Sequence, residues 1–259
     1  MPHPAIVATA HASNDSGPLL ILGPSLGSDC AILWELVVPA LRDHYRIVSW
    51  DLPGHGRSPA ATTAFSLADL ADAVDRLRAE LGAATAYHAG VSIGGGVSLE
   101  LALRRPGHFD RVALVCSNYR FGGDAWPHAW HERAATARAQ STSALIVGSA
   151  QRWFTPESMT AHEDTIGRLL HALQGADDES YALACEALAA FDLESRLGEI
   201  GVPVLDVWGD RDETVSRESV DTLVAAVPDA RLAVVPDAAH LATVDQPDAV
   251  AAALRDFFG

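Results

Sequence analysis

The stretch Gly90-Val91-Ser92-Ile93-Gly94 decides how this chain is interpreted, because it reads G-x-S-x-G. An apolar run at 86–89 precedes it, and a helical pattern at 97–103 follows. A serine between a strand and a helix stands at the tip of a strained turn, where its Oγ is free of its own backbone. The flanking positions must be small because a Cβ there would crowd the turn. The sequence therefore predicts that Ser92 is a nucleophile.

Short apolar runs alternate with helical patterns on both sides of this turn. Alternation of this kind predicts an α/β fold with a mostly parallel sheet flanked by helices. Predicted strands include 19–22, 47–50, 112–115, 204–208 and 232–235, and predicted helices include 67–81, 219–227 and 248–257. The alternation stops over 119–193, which is helical in character. We expect a core made of 1–118 and 194–259, and a helical cap at 119–193 that covers the edge where parallel sheets bind ligands.

The bulk composition excludes several classes of function. The chain has 259 residues, 49% of them hydrophobic, and a formal net charge of −16. It has no basic cluster for nucleic acid, and an anionic membrane surface would repel it. The three cysteines are far apart, which predicts neither disulfides nor a zinc site. The stretch Met1-Pro2-His3-Pro4 does not resemble a signal peptide, so we expect a soluble cytoplasmic protein that acts on a small molecule.

A serine hydroxyl is a weak nucleophile until a base removes its proton, so partners are expected later in the chain. His240 follows the last predicted strand and precedes the final helix, the expected place of the base. An acid that orients the base should lie between the two in sequence. Asp212 is our first candidate and Asp210 the alternative, since spacing does not distinguish them.

The attacked carbonyl needs hydrogen-bond donors for its developing negative charge. The backbone N–H of Ile93, next to the nucleophile, is one expected donor. The second should come from the turn after an earlier strand, where Leu26 lies.

No metal or other cofactor is predicted. His128 and His131 are three positions apart, whereas helical metal sites usually use residues four positions apart together with a further ligand.

Four motifs now carry a family resemblance: Asp51-x-Pro-Gly-His55-Gly-Arg57-Ser58, Gly90-x-Ser92-x-Gly94-Gly95, Gly209-Asp210-x-Asp212 and Ala239-His240. In order and spacing they resemble the α/β-hydrolase superfamily over essentially the whole chain. Segments 24–28, 130–133, 152–156, 181–188 and 238–247 are most similar to the 3-oxoadipate enol-lactonases. The resemblance implies hydrolysis of an enol-lactone to 3-oxoadipate in the β-ketoadipate pathway of aromatic catabolism, by a cytoplasmic, cofactor-free enzyme.

The chain departs from that family at three places. Pro24 stands where the family usually has Asn, segment 117–120 differs, and segment 213–216 lacks a proline often found after the acid. The first two departures are expected to reshape the pocket. The exact lactone and the oligomeric state therefore stay open.

A substrate of this kind carries a carboxylate, which an arginine can bind with two parallel hydrogen bonds. Arg133 is the first candidate for this role and Arg152 the second, with Trp130 and Trp153 as further substrate-binding residues in the cap. Two alternatives remain: a carboxylesterase or another lactonase, and a ligand receptor built on the same fold.

Overall fold

A seven-stranded β-sheet forms the centre of the molecule. The computed structural model describes residues 4–121 and 126–259, and within them the strand order is β1-β3-β2-β4-β5-β6-β7. β1 is antiparallel to β3, and every other pairing is parallel. The strands are β1 (Val7–Ala10), β2 (Leu19–Gly23), β3 (Arg46–Asp51), β4 (Ala86–Val91), β5 (Phe109–Val115), β6 (Val204–Gly209) and β7 (Ala230–Val235).

Helices connect the strands. They are α1 (Cys30–Trp34), α2 (Val38–Leu41), α3 (Leu67–Glu80), α4 (Ile93–Arg104), α5 (Trp126–Gln140), α6 (Ile146–Trp153), α7 (Pro156–Ala161), α8 (Glu163–Gly175), α9 (Asp178–Ala189), α10 (Arg217–Ala226), α11 (Ala242–Asp245) and α12 (Pro247–Phe258). Two short 3₁₀ helices cover Thr142–Leu145 and Glu194–Glu199.

The predicted fold class is confirmed by this architecture. Each strand predicted from an apolar run is present. Strands inside the sheet are buried on both faces and are therefore apolar along most of their length, whereas β7 at the edge is apolar but only partly buried. β1 was not predicted, since it is a four-residue antiparallel strand at the edge of the sheet and only partly buried. Helix α3 begins where Ser66 accepts a hydrogen bond from the amide of Asp69, as a capping box.

The sheet beneath the serine is held by a buried polar network. His88 on β4 is fully buried, its Nδ1 lies 2.7 Å from Ser98 Oγ, and its Nε2 accepts from Trp50 Nε1 at 3.2 Å. Burial lowers the pKa of His88 to about 3, so the ring stays neutral. The network joins β3, β4 and α4 directly below the turn that carries Ser92.

Helices α5 to α9 all fall in the segment predicted as a cap. Arg138 on α5 donates to Glu179 and Glu186 on α9, both at the surface. An isolated antiparallel β-bridge between Arg120 and Asp192 joins the two ends of the segment, together with a bond from the Leu193 amide to the Tyr119 carbonyl. Residues 122–125 of this segment, and residues 1–3 of the N-terminal stretch discussed above, lie outside the described residues.

Candidate active site

The serine turn, residues 90–95, holds Ser92 in a backbone conformation that few residues adopt. Ser92 has φ 53° and ψ −116° at the N-terminus of α4. A Cβ on Gly90 would stand 2.1 Å from the backbone carbon of Gly94, and one on Gly94 would stand 2.6 Å from the carbonyl oxygen of Pro24. Glycine is therefore required at both flanking positions for steric reasons, as the sequence predicts.

His240 lies in the histidine loop, residues 238–245, and contacts Asp212. Nδ1 of His240 is 2.9 Å from Oδ2 of Asp212, and the two side chains are 5% and 0% exposed. The other carboxylate oxygen of Asp212 accepts from the amide of Thr214 at 2.7 Å. A proton on Nδ1 donates to Asp212, which leaves the Nε2 lone pair available as a base.

Asp210, the alternative acid, has a different partner. Its Oδ1 accepts a hydrogen bond from the backbone amide of Asp237 at 2.8 Å. Asp210 therefore closes the turn that leads into the histidine loop, and it is Asp212 that contacts the imidazole.

A cavity of about 300 Å³ lies between the cap helices and the carboxyl ends of the strands. Its walls are largely apolar, with a few polar groups converging on one place. The core contributes Ser25, Leu26, Ser92, Thr214 and His240, and the cap contributes Ala129, Trp130, Arg133, Arg152, Trp153 and Tyr181. Thus the structure brings the predicted serine, histidine, arginines and tryptophans to one cavity, with Asp212 behind His240.

Of the two amides predicted to stabilise an oxyanion, that of Ile93 follows Ser92 in the chain and that of Leu26 belongs to a residue lining the same cavity. A tight turn holds Leu26, because Ser28 Oγ donates to the carbonyl of Ser25 at 2.8 Å and accepts from its amide at 3.1 Å. The amide of Gly94 donates to Pro24 and so joins this turn to the serine turn. Within residues 4–121 and 126–259, the amides of Leu26 and Ile93 have no hydrogen-bond acceptor, so both are free to bind a ligand oxygen.

Arg133 is held rigidly in the cavity wall. Its Nε donates to the hydroxyl of Tyr181 at 2.6 Å and its Nη2 donates to Ser149 Oγ at 2.8 Å. Its guanidinium also lies over the Tyr181 ring. Burial raises the pKa of Tyr181, so this hydroxyl stays protonated beside the arginine. These partners are neutral and leave the charge of Arg133 uncompensated.

Arg152 provides a second positive charge at the same cavity. Its side chain is exposed to solvent over part of its surface. Burial of the remaining part is the larger cause that lowers the pKa of Arg152, and the nearby positive charge of Arg133 is the smaller one. In the part of the chain that the structure describes, neither arginine is ion-paired with a carboxylate. By contrast, the cap arginines Arg138 and Arg168 are paired with glutamates.

Tyr181 is the principal cavity residue that sequence reasoning missed. It lies on α9, fully buried, and the His55 ring stacks on it with ring centroids 5.9 Å apart. Burial lowers the pKa of His55 to about 4, so this ring is neutral and supports Tyr181 by packing. The segment around Tyr181 entered the sequence analysis only through the family resemblance, because a tyrosine in a helical segment gives no local sign of which residues it will contact.

Asp206 on β6 is a buried carboxyl group close to the acid that contacts His240. Neither of its oxygens has a hydrogen-bond partner among the described residues. Burial, with a smaller contribution from the charge of Asp212, raises the pKa of Asp206 to about 8. The group is therefore protonated and uncharged at neutral pH.

Neither a metal site nor a membrane span is found in the described residues. No group of three or more His, Cys, Asp or Glu there could hold a metal ion, and His128 and His131 are both exposed. None of the helices described has the length and apolar character needed to cross a bilayer.

Known proteins are similar to this chain over most of its length, in sequence and in structure. A family model for the alpha/beta hydrolase fold matches residues 18–247. The 3-oxoadipate enol-lactonase 2 of Acinetobacter baylyi is 30% identical over 232 residues, which cover 90% of this chain and 85% of the relative. The 3-oxoadipate enol-lactonase 1 of the same organism is 27% identical, over 90% and 86% of the two chains. The solved enol-lactonase from Burkholderia xenovorans LB400 superposes with a TM-score of 0.92 at 30% identity, over 98% and 96% of the two chains.

Proposed function

The chain belongs to the α/β hydrolase family, and on this basis we propose that it is a serine hydrolase that opens a small lactone bearing a carboxylate. The first candidate substrate is 3-oxoadipate enol-lactone, with 3-oxoadipate as the product. One observation carries the choice of an anionic substrate: Arg133 and Arg152 line the cavity of Ser92 and His240 without a carboxylate partner among the described residues.

The reaction proceeds in two acyl-transfer steps. His240 Nε2 removes the proton from Ser92 Oγ, which attacks the lactone carbonyl carbon. The amides of Leu26 and Ile93 donate to the developing oxyanion, which typically lowers the barrier by several kcal/mol. The ring C–O bond breaks, the enolate takes the proton from His240, and the enol becomes a ketone. Water then attacks the acyl-enzyme with His240 as base, which releases the acid and restores Ser92.

Local positive charge at the cavity, rather than the overall charge of the chain, supports an anionic substrate. The formal net charge of the chain is −16, so its long-range field repels anions. A bound carboxylate therefore depends on local positive charge, and Arg133 supplies it in a fixed orientation set by Tyr181 and Ser149. Charge-assisted bonds from a guanidinium to a carboxylate are stronger than neutral hydrogen bonds.

The size and lining of the cavity support a small substrate. A volume of about 300 Å³ is at the lower end of the range for ligand pockets, and Trp130 and Trp153 supply apolar walls. Two relatives that are 30% and 27% identical over most of the chain bear the name 3-oxoadipate enol-lactonase, which favours this lactone over others as the first to be assayed.

The test compares the enol-lactone with its neutral methyl ester as substrates for the purified protein. Arg133→Ala should raise KM for the anionic lactone about 10- to 100-fold, since a hydrogen bond to a charged group contributes about 1.5–3 kcal/mol. KM for the methyl ester should change little. Arg138→Ala is the matched control, because Arg138 lies on the same helix but pairs with Glu179 and Glu186 away from the cavity.

Two results would redirect the assignment. Equal kcat/KM values for anionic and neutral substrates would favour a general carboxylesterase or another lactonase. A wild-type protein whose Ser92 is not labelled by a fluorophosphonate, and which binds the lactone without turnover, would be a ligand receptor.

A further inference from the structure

We propose that Asp245 is a positioning residue that couples the cap to the histidine loop and so fixes the imidazole of His240. Asp245 lies at the end of α11, five residues after His240, and touches neither the cavity nor Asp212. The proposal rests on the acyl-transfer role of His240 proposed above.

The carboxylate of Asp245 joins two segments that are far apart in sequence. It is 6% exposed, and its Oδ2 accepts from the amide of Ala239 at 2.7 Å. Its Oδ1 accepts from the amide of Thr155 at 3.3 Å and from Thr155 Oγ1 at 3.5 Å. One side chain thus holds the residue before His240 and Thr155, the residue that caps the N-terminus of α7.

A second contact fixes the residue after His240. The amide of Leu241 donates to the carbonyl oxygen of Trp153 at 2.9 Å. Both neighbours of His240 are therefore held by the segment 153–155, Ala239 through the Asp245 carboxylate and Leu241 through a backbone bond. Because Trp153 is also a wall of the cavity, the base and the substrate wall are joined as one unit.

Only a carboxylate can accept all of these hydrogen bonds. Amide donors approach both of its oxygens, so a neutral isostere must turn an NH₂ group toward one of them. Asp245→Asn therefore preserves the volume of the side chain but replaces one hydrogen bond by a contact between two donors. The backbone amide of Ala239 or of Thr155 then lacks an acceptor, and it can find a new one only if the histidine loop or segment 153–155 moves.

The experiment measures turnover per titrated active site with p-nitrophenyl acetate, after counting sites with a fluorophosphonate. Asp245→Asn should lower kcat per titrated site by up to about 100-fold, the cost of roughly 1 Å of misplacement, with a much smaller change in KM. Asp237→Asn is the control, since it makes the same charge change next to the loop on an exposed side chain that pairs with Arg211. The control should keep the wild-type kcat.

Wild-type kcat per titrated site in Asp245→Asn, with fewer sites titrated, would show a structural role only and overturn the proposal. If Asp245→Asn does not fold, Thr155→Val decides, because it removes the Oγ1 donor to Asp245 and keeps the amide. It also removes the cap that Oγ1 provides to α7, a loss of stability that lowers the number of titrated sites rather than kcat per site. Lower kcat per site supports the proposal, and an unchanged value overturns it. A wild-type protein that is not labelled at all would instead contradict the proposed function.

Discussion

The serine turn and the histidine loop bring their functional side chains to one cavity by different means. In the serine turn, the amides of Gly95 and Gly96 donate to the carbonyl of Ser92 at 2.9 and 3.1 Å, and the neighbouring glycines create the space. The histidine loop is held by Asp212, 28 residues earlier, and by Trp153 in the cap. The conformation of the serine turn is therefore set largely by glycines in its own sequence, with Val115 and Ser117 as further partners of the Ser92 backbone, whereas the position of the proposed base depends on tertiary contacts throughout.

The largest effect should come from the serine turn. Ser92→Ala should lower kcat by about 10⁴-fold or more, because the acyl-enzyme cannot form. The midpoint of thermal unfolding should stay close to that of the wild type, since alanine meets the same backbone strain at φ 53°. Residual hydrolysis at the wild-type rate would remove Ser92 from the mechanism.

The next effect tests the contact that orients the base. Asp212→Asn should lower kcat by about 10³- to 10⁴-fold, because an amide can impose the wrong tautomer on His240. Asp210→Asn, the matched change two residues earlier, should leave kcat close to the wild-type value, since Asp210 contacts the amide of Asp237 instead. If the two variants lost activity equally, the turn as a whole would position the histidine.

A third effect concerns stability rather than rate. Gly90→Ala places a Cβ 2.1 Å from backbone carbon and should lower the free energy of unfolding by about 3 kcal/mol. Gly107→Ala is the control, because Gly107 is exposed and its added Cβ would meet nothing within 4 Å. Both substitutions lower the entropy of the unfolded chain, but only Gly90→Ala introduces a clash. The difference between their free energies of unfolding, measured by urea denaturation, therefore gives the steric cost. Equal stabilities would mean that the turn can relax.

The contrast explains which parts of the molecule the sequence could predict. The buried strands and the serine turn follow from periodicity and from glycines at fixed spacing, which are local signals. β1 was missed because it is short and lies at an edge. Tyr181 and Asp245 were missed as functional residues because their roles depend on partners such as Arg133 and Thr155, which are distant in sequence. The choice between Asp210 and Asp212 likewise required the fold.

The last effect depends on pH and concerns the carboxyl group behind the base. In the folded protein Asp206 keeps its proton up to about pH 8, whereas its ordinary pKa is 3.8. Between these values the folded state holds a proton that the unfolded chain has lost, so stability falls as pH rises. Asp206→Asn removes this slope. Its stability relative to the wild type should increase by up to about 1.4 kcal/mol for each pH unit across this range.

Denaturation of Asp206→Asn and wild type over the same pH series measures that difference directly. A constant offset between the two proteins is expected from the buried amide and does not affect the slope. Parallel stability curves would mean that Asp206 is ionised in the folded protein.

The tryptophans of the cavity give the protein a built-in optical signal. Trp130 and Trp153 are two of the six tryptophans of the chain, and both indole rings border the space that the substrate would fill. An anion that docks against Arg133 changes the electric field at these rings and displaces water from them. Intrinsic fluorescence should therefore report occupancy of the cavity without any label. In Ser92→Ala, which cannot form the acyl-enzyme, the signal would follow ligand binding alone, separated from bond cleavage.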